Sequence, residues 1–461
     1  MIRHEDIKDL AFAWGLREDI IEKDYVIGWV LWGIGSDPEL SISWVFKGGT
    51  CLKKCFLETY RFSEDLDFTV LPSGPIHPEE VREKVSKILS HVSAESGIDF
   101  SIREPRFRER DTPLSTEGRI YFRGPRGATT PASIKLDLNG QEKVVRPSVL
   151  RKISHPFPDS LPPGDIRCYA FEEVFAEKIR AMVERCRPRD LYDIVNLFRR
   201  QDLHSAPELI RTVLIEKCEY KGVTVPAFAA LETSPFRAEL ESEWDNMLAH
   251  QLPVLPPMEQ FWAELPKLFD WLEQIATLEK LPTIDFETGE DSSWKPPATV
   301  WNWSTDSPVP LEPIRFAAIN HLCVELGYNG TKRIIEPYSL HRTMEGNLLL
   351  HAVRANTREH RSYRVDRIES VEVTRQPFTP IYAIEFSALG QLFAPTKARA
   401  TGSRTLSRRK TGKSWSRKFG SSIIYIFECS ACSKKFKRIK YDVKLRPHKD
   451  KNGLPCSCRI G

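Results

Sequence analysis

Residues 46–70, FKGGTCLKKCFLETYRFSEDLDFTV, constrain the fold more than any other stretch of the chain. Two glycines and a threonine open a helix-like run, and an alternating strand follows. Strand side chains repeat every two residues, so Ser63, Asp65 and Asp67 share one face while Leu66, Phe68 and Val70 face a core. Two neighbouring carboxylates repel each other unless a cation sits between them. Mg²⁺ is a hard ion that takes a few carboxylates together with substrate phosphates. A glycine turn lets backbone amides approach a phosphate, and the helix N-terminus behind it adds favourable partial charge. The two parts together imply metal-dependent nucleotidyl transfer, with Asp65 and Asp67 as the metal-binding acids. Gly48, Gly49 and Thr50 are expected to line the phosphates of a nucleoside triphosphate donor through backbone amides. Ser63 would add a hydroxyl, and Lys47 would either join them or stand at the surface of the turn. The competing reading of a bare DxD is a solvated acidic strand face.

Three separated blocks carry a family resemblance. KGGT, a short helix and RxSxDLDF resemble the nucleotidyltransferase AbiEii/AbiGii toxin family. Ile21-Glu22-Lys23-Asp24-Tyr25 upstream is similar to that family's EKDY segment. EEVFAEKIRAMVERCRPRDLYDIVNLF (172–198) downstream resembles its second motif, with a lysine and an RDxxD. The resemblance spans roughly residues 20–200. It implies an α+β fold, a polymerase-β-like mixed sheet with helices, and a toxin of a type IV toxin–antitoxin or abortive-infection system. It further implies NTP as donor, an RNA acceptor with tRNA foremost, and a cognate antitoxin. On the second motif it implies that Lys178 contacts phosphate and that Asp193 or Asp190 orients nucleotide or acceptor hydroxyl. Asp190 and Asp193 are three apart and share a helix face. The bland reading of the same residues is an Arg189–Asp193 or Arg185–Asp190 ion-pair network. Asp137, in IKLDLNG, is a further acid that would complete the site or else end a strand.

The chain has 461 residues, enough for about three domains. Its 41% hydrophobic and 28% charged content suits a globular protein. No apolar run approaches bilayer length, and MIRHEDIKDLAF carries acids early with no apolar core behind them. A cytoplasmic protein with no membrane partner is therefore expected, and its ten cysteines read as thiols or metal ligands rather than disulfides. Those before the tail, such as Cys51, Cys55 and Cys168, stand among apolar neighbours and are expected to be buried thiols. Charge is uneven: 19 Lys/Arg stand against 3 Asp/Glu from Lys397 onward, leaving 48 against 60 before it. A basic tail on an acidic body fits nucleic acid, although TGSRTLSRRKTGKSWSRK (401–418) also suits a disordered solubilising segment.

The pattern divides the chain into a nucleotidyltransferase part over 1–281, a linker over 282–313 rich in Pro, Ser, Thr and acids, a β-rich part over 314–396 and a basic tail over 397–461. Helices are expected over 4–34, 78–96, 170–186, 189–201 and most of 205–280. Residues 42–70 are expected to give a strand, the Gly-Thr turn, a helix and the DxD strand, and 98–122 and 132–146 to alternate as strands. Residues 314–327 read as one short helix before a series of strands. IEPYSL, GNLLL and YRVDRIESV resemble WYL-type domains, with Asn347-Leu348-Leu349-Leu350 standing where Trp-Tyr-Leu would fall. If that surface binds nucleotide, Arg342, Arg361, Arg364 and Arg367 are its candidate contacts.

In the tail, Cys429-x2-Cys432 has a spacing that suits tetrahedral zinc. The second pair comes from His448, Cys456 and Cys458. The tail is similar to the zinc-ribbon ends of longer relatives of the toxin family, which favours His448 and Cys456. A segment so short and basic would depend on the metal to fold. Two other functional readings compete with an RNA-modifying toxin. One is a nucleotidyltransferase acting on small molecules, and the other is a catalytically silent regulator that binds nucleic acid through the C-terminal half.

Overall fold

The structure, a computed structural model, describes residues 1–57, 61–112, 114–200, 206–275, 277–278, 281–282, 311–342 and 348–386, with four short tail strands at 425–428, 435–438, 448–449 and 455–456. It divides into two compact units, 1–396 and 397–461.

A seven-stranded mixed sheet organises the first unit. Its strands are β1 (Trp44–Lys47), β2 (Asp65–Val70), β3 (Arg106–Glu109), β4 (Ser115–Phe122), β5 (Ala132–Asn139), β6 (Val149–Lys152) and β7 (Asp165–Cys168). Their spatial order is β3-β4-β5-β2-β1-β7-β6. The β2–β5 and β1–β7 pairs are parallel and the rest antiparallel. β2 follows the expected alternation at its start: Leu66, Phe68 and Val70 are buried while Asp65 and Asp67 lie on the more open face. Phe46, Leu136, Leu138, Ile120 and Phe122 complete the buried layer.

The Glu18–Ser36 helix is apolar around most of its circumference and is therefore an interior element. It packs on β7 and on the Pro78–Ser96 helix. The second contact is close: a Cβ on Gly33 would lie 2.5 Å from Val92 Cγ2. The EKDY acids on this helix serve the scaffold. Glu22 accepts a hydrogen bond from the Arg126 amide at 2.8 Å. Asp24 is fully buried and bonds Lys54 Nζ at 2.7 Å, while the same Nζ donates to the Asp24 carbonyl at 2.9 Å. Lys54 stands on the π-turn Leu52–Phe56 that continues the short helix Gly48–Cys51. The buried pair therefore fixes the segment behind the glycine turn to the central helix.

The second motif forms the helices Phe171–Arg185 and Pro188–Arg199, the latter opened by proline at its first position. Helices Pro207–Lys221, Arg237–Leu248 and Leu265–Leu272 follow.

The helix expected over 314–327 is shorter. It spans Glu312–Ile319, after which β8 (Leu322–Tyr328) begins. His321 has φ +54°, a left-handed turn that ends the helix, and β8 is then claimed by hydrogen bonds on both edges. With β9 (Thr331–Arg342), β10 (Leu348–Arg354), β11 (His360–Arg364) and β12 (Ile368–Pro377) it makes a five-stranded antiparallel sheet, ordered β11-β10-β9-β8-β12. Most of the expected linker, 283–310, lies outside the described residues.

In the tail unit, β13 (Tyr425–Glu428) pairs antiparallel with β14 (Lys435–Arg438), and β15 (His448–Lys449) pairs with β16 (Pro455–Cys456). Among the described residues, no helix is long and apolar enough to cross a membrane.

Removing one member of the Asp24–Lys54 pair strands the other charge in the core. Asp24→Ala is expected to destabilise the protein by about 3–5 kcal/mol, and Asp24→Leu with Lys54→Met to recover most of that loss. Chemical denaturation of the three proteins measures it; equal stability of Asp24→Ala and the parent would refute the structural role.

Candidate active site

β1 and β2 pair with Lys47 opposite Asp67. Directly after Lys47 the backbone turns through Gly48 at φ +78°, a conformation that favours glycine. A Cβ at Gly48 would lie 2.3 Å from Asp67 Oδ2, so the missing side chain leaves room for the carboxylate. Gly49 is equally confined: its Cβ would fall 2.5 Å from the Arg61 guanidinium and 3.1 Å from Ser63 Oγ. Thr50 Oγ1 donates a hydrogen bond to the Asp65 carbonyl at 2.5 Å. The Gly-Gly-Thr turn is thus bound against the start of β2, and Gly48, Gly49, Thr50, Ser63, Asp65 and Asp67 come together as the spacing implies.

The parallel pairing of β2 with β5 sets Asp137 opposite Asp67, on the same sheet face. Asp137 is already engaged, by Arg110 at 2.7 Å and by Lys135 at 2.7 Å. The Asp65 and Asp67 carboxylates have no hydrogen-bond or ion-pair partner among the described residues. Burial pushes Asp67 up to about 6; Lys47 opposes this, and Asp137 and Asp65 reinforce it. Asp65 is also raised, by burial first, against the pull of Lys135 and Arg189.

Lys47 is not at the surface, although its place opposite Asp67 puts it on the same sheet face. It is buried, with Nζ 2.6 Å from Glu142 and 3.4 Å from Glu177, and these acids raise its pKa against the opposing effect of burial. The second motif forms a cationic and acidic network. Lys178 Nζ lies 2.7 Å from Asp193 and 3.5 Å from Asp190. Asp190 takes two hydrogen bonds from Arg185, at 2.6 and 2.8 Å. Asp193 takes two from Arg61, at 2.7 and 2.9 Å. Both acids are 0% exposed, and burial alone would raise Asp193; Arg61 and Lys178 hold it well below the ordinary carboxylate range instead. Asp190 and Asp193 therefore orient cations, and neither is open to solvent.

Two arginines belong to this constellation and were not singled out by sequence reasoning. Arg61 bridges the β2 approach to the Pro188–Arg199 helix. Arg189 acts on Asp65 electrostatically, and its Nε is buried with no hydrogen-bond partner. Arg189 was read only as a partner for Asp193, which Arg61 takes. Both stand at the head of quoted motifs, RxSxDLDF and RDxxD, and that position was the available signal.

The donor set fits a hard divalent cation. It consists of carboxylate oxygens, two of them unpartnered, on adjacent same-face positions beside a backbone turn. In the tail, His448 stands directly opposite Cys456 in the β15–β16 pair. Cys429, Cys432 and Cys458 lie outside the described residues. In the β-rich part, exposed Arg361 and half-buried Arg364 are paired locally with Glu359 at 2.9 Å and Asp366 at 2.6 Å.

A mixed sheet with paired acids beside a Gly-Gly-Thr turn defines a nucleotidyltransferase. The model of the family described as nucleotidyl transferase AbiEii toxin, Type IV TA system, matches residues 29–274, just over half the chain, and the chain belongs to that family. The WYL domain model matches residues 310–373. Among solved structures the chain is similar to MenT4, a nucleotidyltransferase toxin from Mycobacterium tuberculosis H37Rv, at 18% identity and a TM-score of 0.43. That likeness covers 60% of this chain and 91% of the other. No curated protein matches.

The raised Asp67 has a signed consequence. Its folded pKa of about 6 lies above the ordinary aspartate value of 3.8, so the fold disfavours its ionised form and metal-free stability falls as pH rises through this interval. Asp67→Asn is expected to melt higher than the parent above pH 6, and the difference to vanish below pH 3.8. Thermal melts in chelator across pH measure this; an Asp67→Asn chain no more stable at neutral pH would contradict it.

Proposed function

We propose that the chain transfers a nucleotide from NTP to an RNA acceptor, tRNA foremost, as the toxin of a type IV toxin–antitoxin pair. The observation that carries this reading is the pair of unpartnered acids, Asp65 and Asp67, facing away from the core beside the Gly48 bend. These two would hold Mg²⁺, which when bound neutralises charge on the donor phosphates. The first-turn amides at Gly48 and Gly49 have no intrahelical acceptor and would take phosphate oxygens, with Ser63 adding a hydroxyl. Arg189 and Lys178 would supply positive charge from the facing helices. Asp193 and Asp190 would set the Lys178 ammonium in place, and Asp193 would also fix Arg61 behind the turn. Positioning and charge neutralisation of this kind carry phosphoryl transfer, with little covalent work for the protein.

The chain divides, on this reading, into the transferase part over 1–281, a linker over 282–313, the WYL part over 314–396 and the tail over 397–461. Cys429, Cys432, His448 and Cys456 would form a structural zinc ribbon, a reading supported by the backbone register that sets His448 opposite Cys456. The tail's 19 Lys/Arg would neutralise acceptor backbone phosphates without reading sequence. A cognate antitoxin would restrain the activity.

Incubating the protein with Mg²⁺, each labelled NTP and total RNA, then resolving products on a gel, tests the proposal. Label is expected in the tRNA band, and Asp65→Ala with Asp67→Ala should lower it by at least about a hundredfold. Label confined to small acceptors would overturn the RNA reading. Transfer undiminished by the double substitution would overturn the site.

A further inference from the structure

Behind the glycine turn, on the side away from the acids, three cysteines from three chain segments meet. Cys51 ends the Gly48–Cys51 helix, Cys55 lies on the following π-turn, and Cys168 ends β7. Their sulfur atoms all lie within 4.8 Å of one another. The topology explains the meeting. β7 runs parallel to β1 with Cys168 opposite Phe46, and the chain leaving β1 folds over that edge at Gly48. The four-residue spacing then turns Cys51 and Cys55 to one side.

We propose that Cys51, Cys55 and Cys168 form a trithiolate site for a thiophilic divalent cation of the zinc class, separate from the acidic centre. A single buried cysteine packs as a small apolar group, which accounts for one such residue but not for three converging sulfurs. At a metal–sulfur distance of about 2.3 Å, an ion among three sulfurs sets them about 4 Å apart, so closure needs each to move by less than about 0.5 Å. Cys51 and Cys168 are 0% exposed, which excludes water from two ligands, while Cys55 is partly exposed and provides an entry path. Charge is matched as well. Three thiolates around a divalent cation carry one net negative charge, and the Arg151 guanidinium, seated 5.1 Å over the Phe56 ring, acts favourably on Cys55 and Cys168. Because Cys51 and Cys55 follow the Gly48 turn and Cys168 ends β7, an ion there ties β7 to the helix that the turn launches.

The test uses the full chain carrying Cys429→Ser and Cys432→Ser, which removes metal bound by the tail. Co²⁺ is the probe. The expected result is a near-ultraviolet sulfur-to-cobalt charge-transfer band saturating at about one equivalent, displaced by Zn²⁺ and lost in Cys168→Ser. No band, or a band unchanged in Cys168→Ser, overturns the proposal. Should Cys168→Ser fail to fold, mass-mapped alkylation of the tail-substituted chain decides. Zn²⁺ must protect Cys55, the partly exposed thiol of the three, with release by chelator, and Cys55 labelling indifferent to chelator overturns the site. Neither outcome depends on nucleotidyl transfer, so the reading of Asp65 and Asp67 stands or falls separately.

Discussion

Everything in the candidate site depends on how closely the backbone at Gly48 approaches the Asp67 carboxylate. A side chain at position 48 would occupy the space that Asp67 Oδ2 fills, and the positive φ there would strain any residue carrying one. Given that bend, β1 continues directly into the Gly48–Cys51 helix. Thr50 holds the helix to the backbone of β2, and Asp24 with Lys54 holds its continuation to the central helix. The turn is therefore clamped at both ends, and a clamped turn keeps donors in place at little reorganisation cost.

The distribution of ion pairs around the sheet is selective. Buried charges are costly unless paired and hydrogen-bonded. Asp24 has Lys54, Asp190 has Arg185, Asp193 has Arg61 and Lys178, Glu173 has Lys217, and Glu142 and Glu177 share Lys47. Against that pattern, Asp65 and Asp67 form no ion pair among the described residues although cations are within electrostatic range of both. Among the described residues, the buried acids nearby are paired while half-buried Asp65 and Asp67 are left open, which concentrates unfavourable charge at one spot. Such a spot is relieved by a ligand cation, which is the physical content of a perturbed carboxylate in a functional site.

Local pattern carried much of this to the reader of the sequence. The two-residue alternation of β2, the glycine turn before it and the proline-opened helix at Pro188 are all short-range signals, and each appears where the spacing puts it. What the sequence hid was pairing between distant positions. Lys47 looked like a turn lysine because Glu142 and Glu177 lie 95 and 130 residues away. Arg61 reaches Asp193 across 132 residues, and so displaced the local Arg189–Asp193 pairing. The three sulfurs meet only because β7 lies beside β1, an adjacency that no spacing encodes. The overlong helix at 314–327 failed for a related reason: apolar runs such as LCVELG fit either period, and two neighbouring strands decided the matter.

The same helix that bears Asp190 and Asp193 also joins the transferase sheet to the β-rich part. Tyr192, buried on it, donates to Asn320 Oδ1 at 2.8 Å, just beyond the Glu312–Ile319 helix. Arg199 at its end bonds Glu264 and, at 3.3 Å, the Ile319 carbonyl. Gln260 donates to the Asn320 carbonyl at 3.0 Å. A buried hydroxyl loses more when its partner is removed than it gains when the bond forms, so deleting the WYL-matched segment would penalise Tyr192 directly. Asp193 is one residue from Tyr192 and is held by Arg61 behind the glycine turn. The segments matched by two family models therefore share one interior, which joins the helix bearing Asp193 to packing at Asn320.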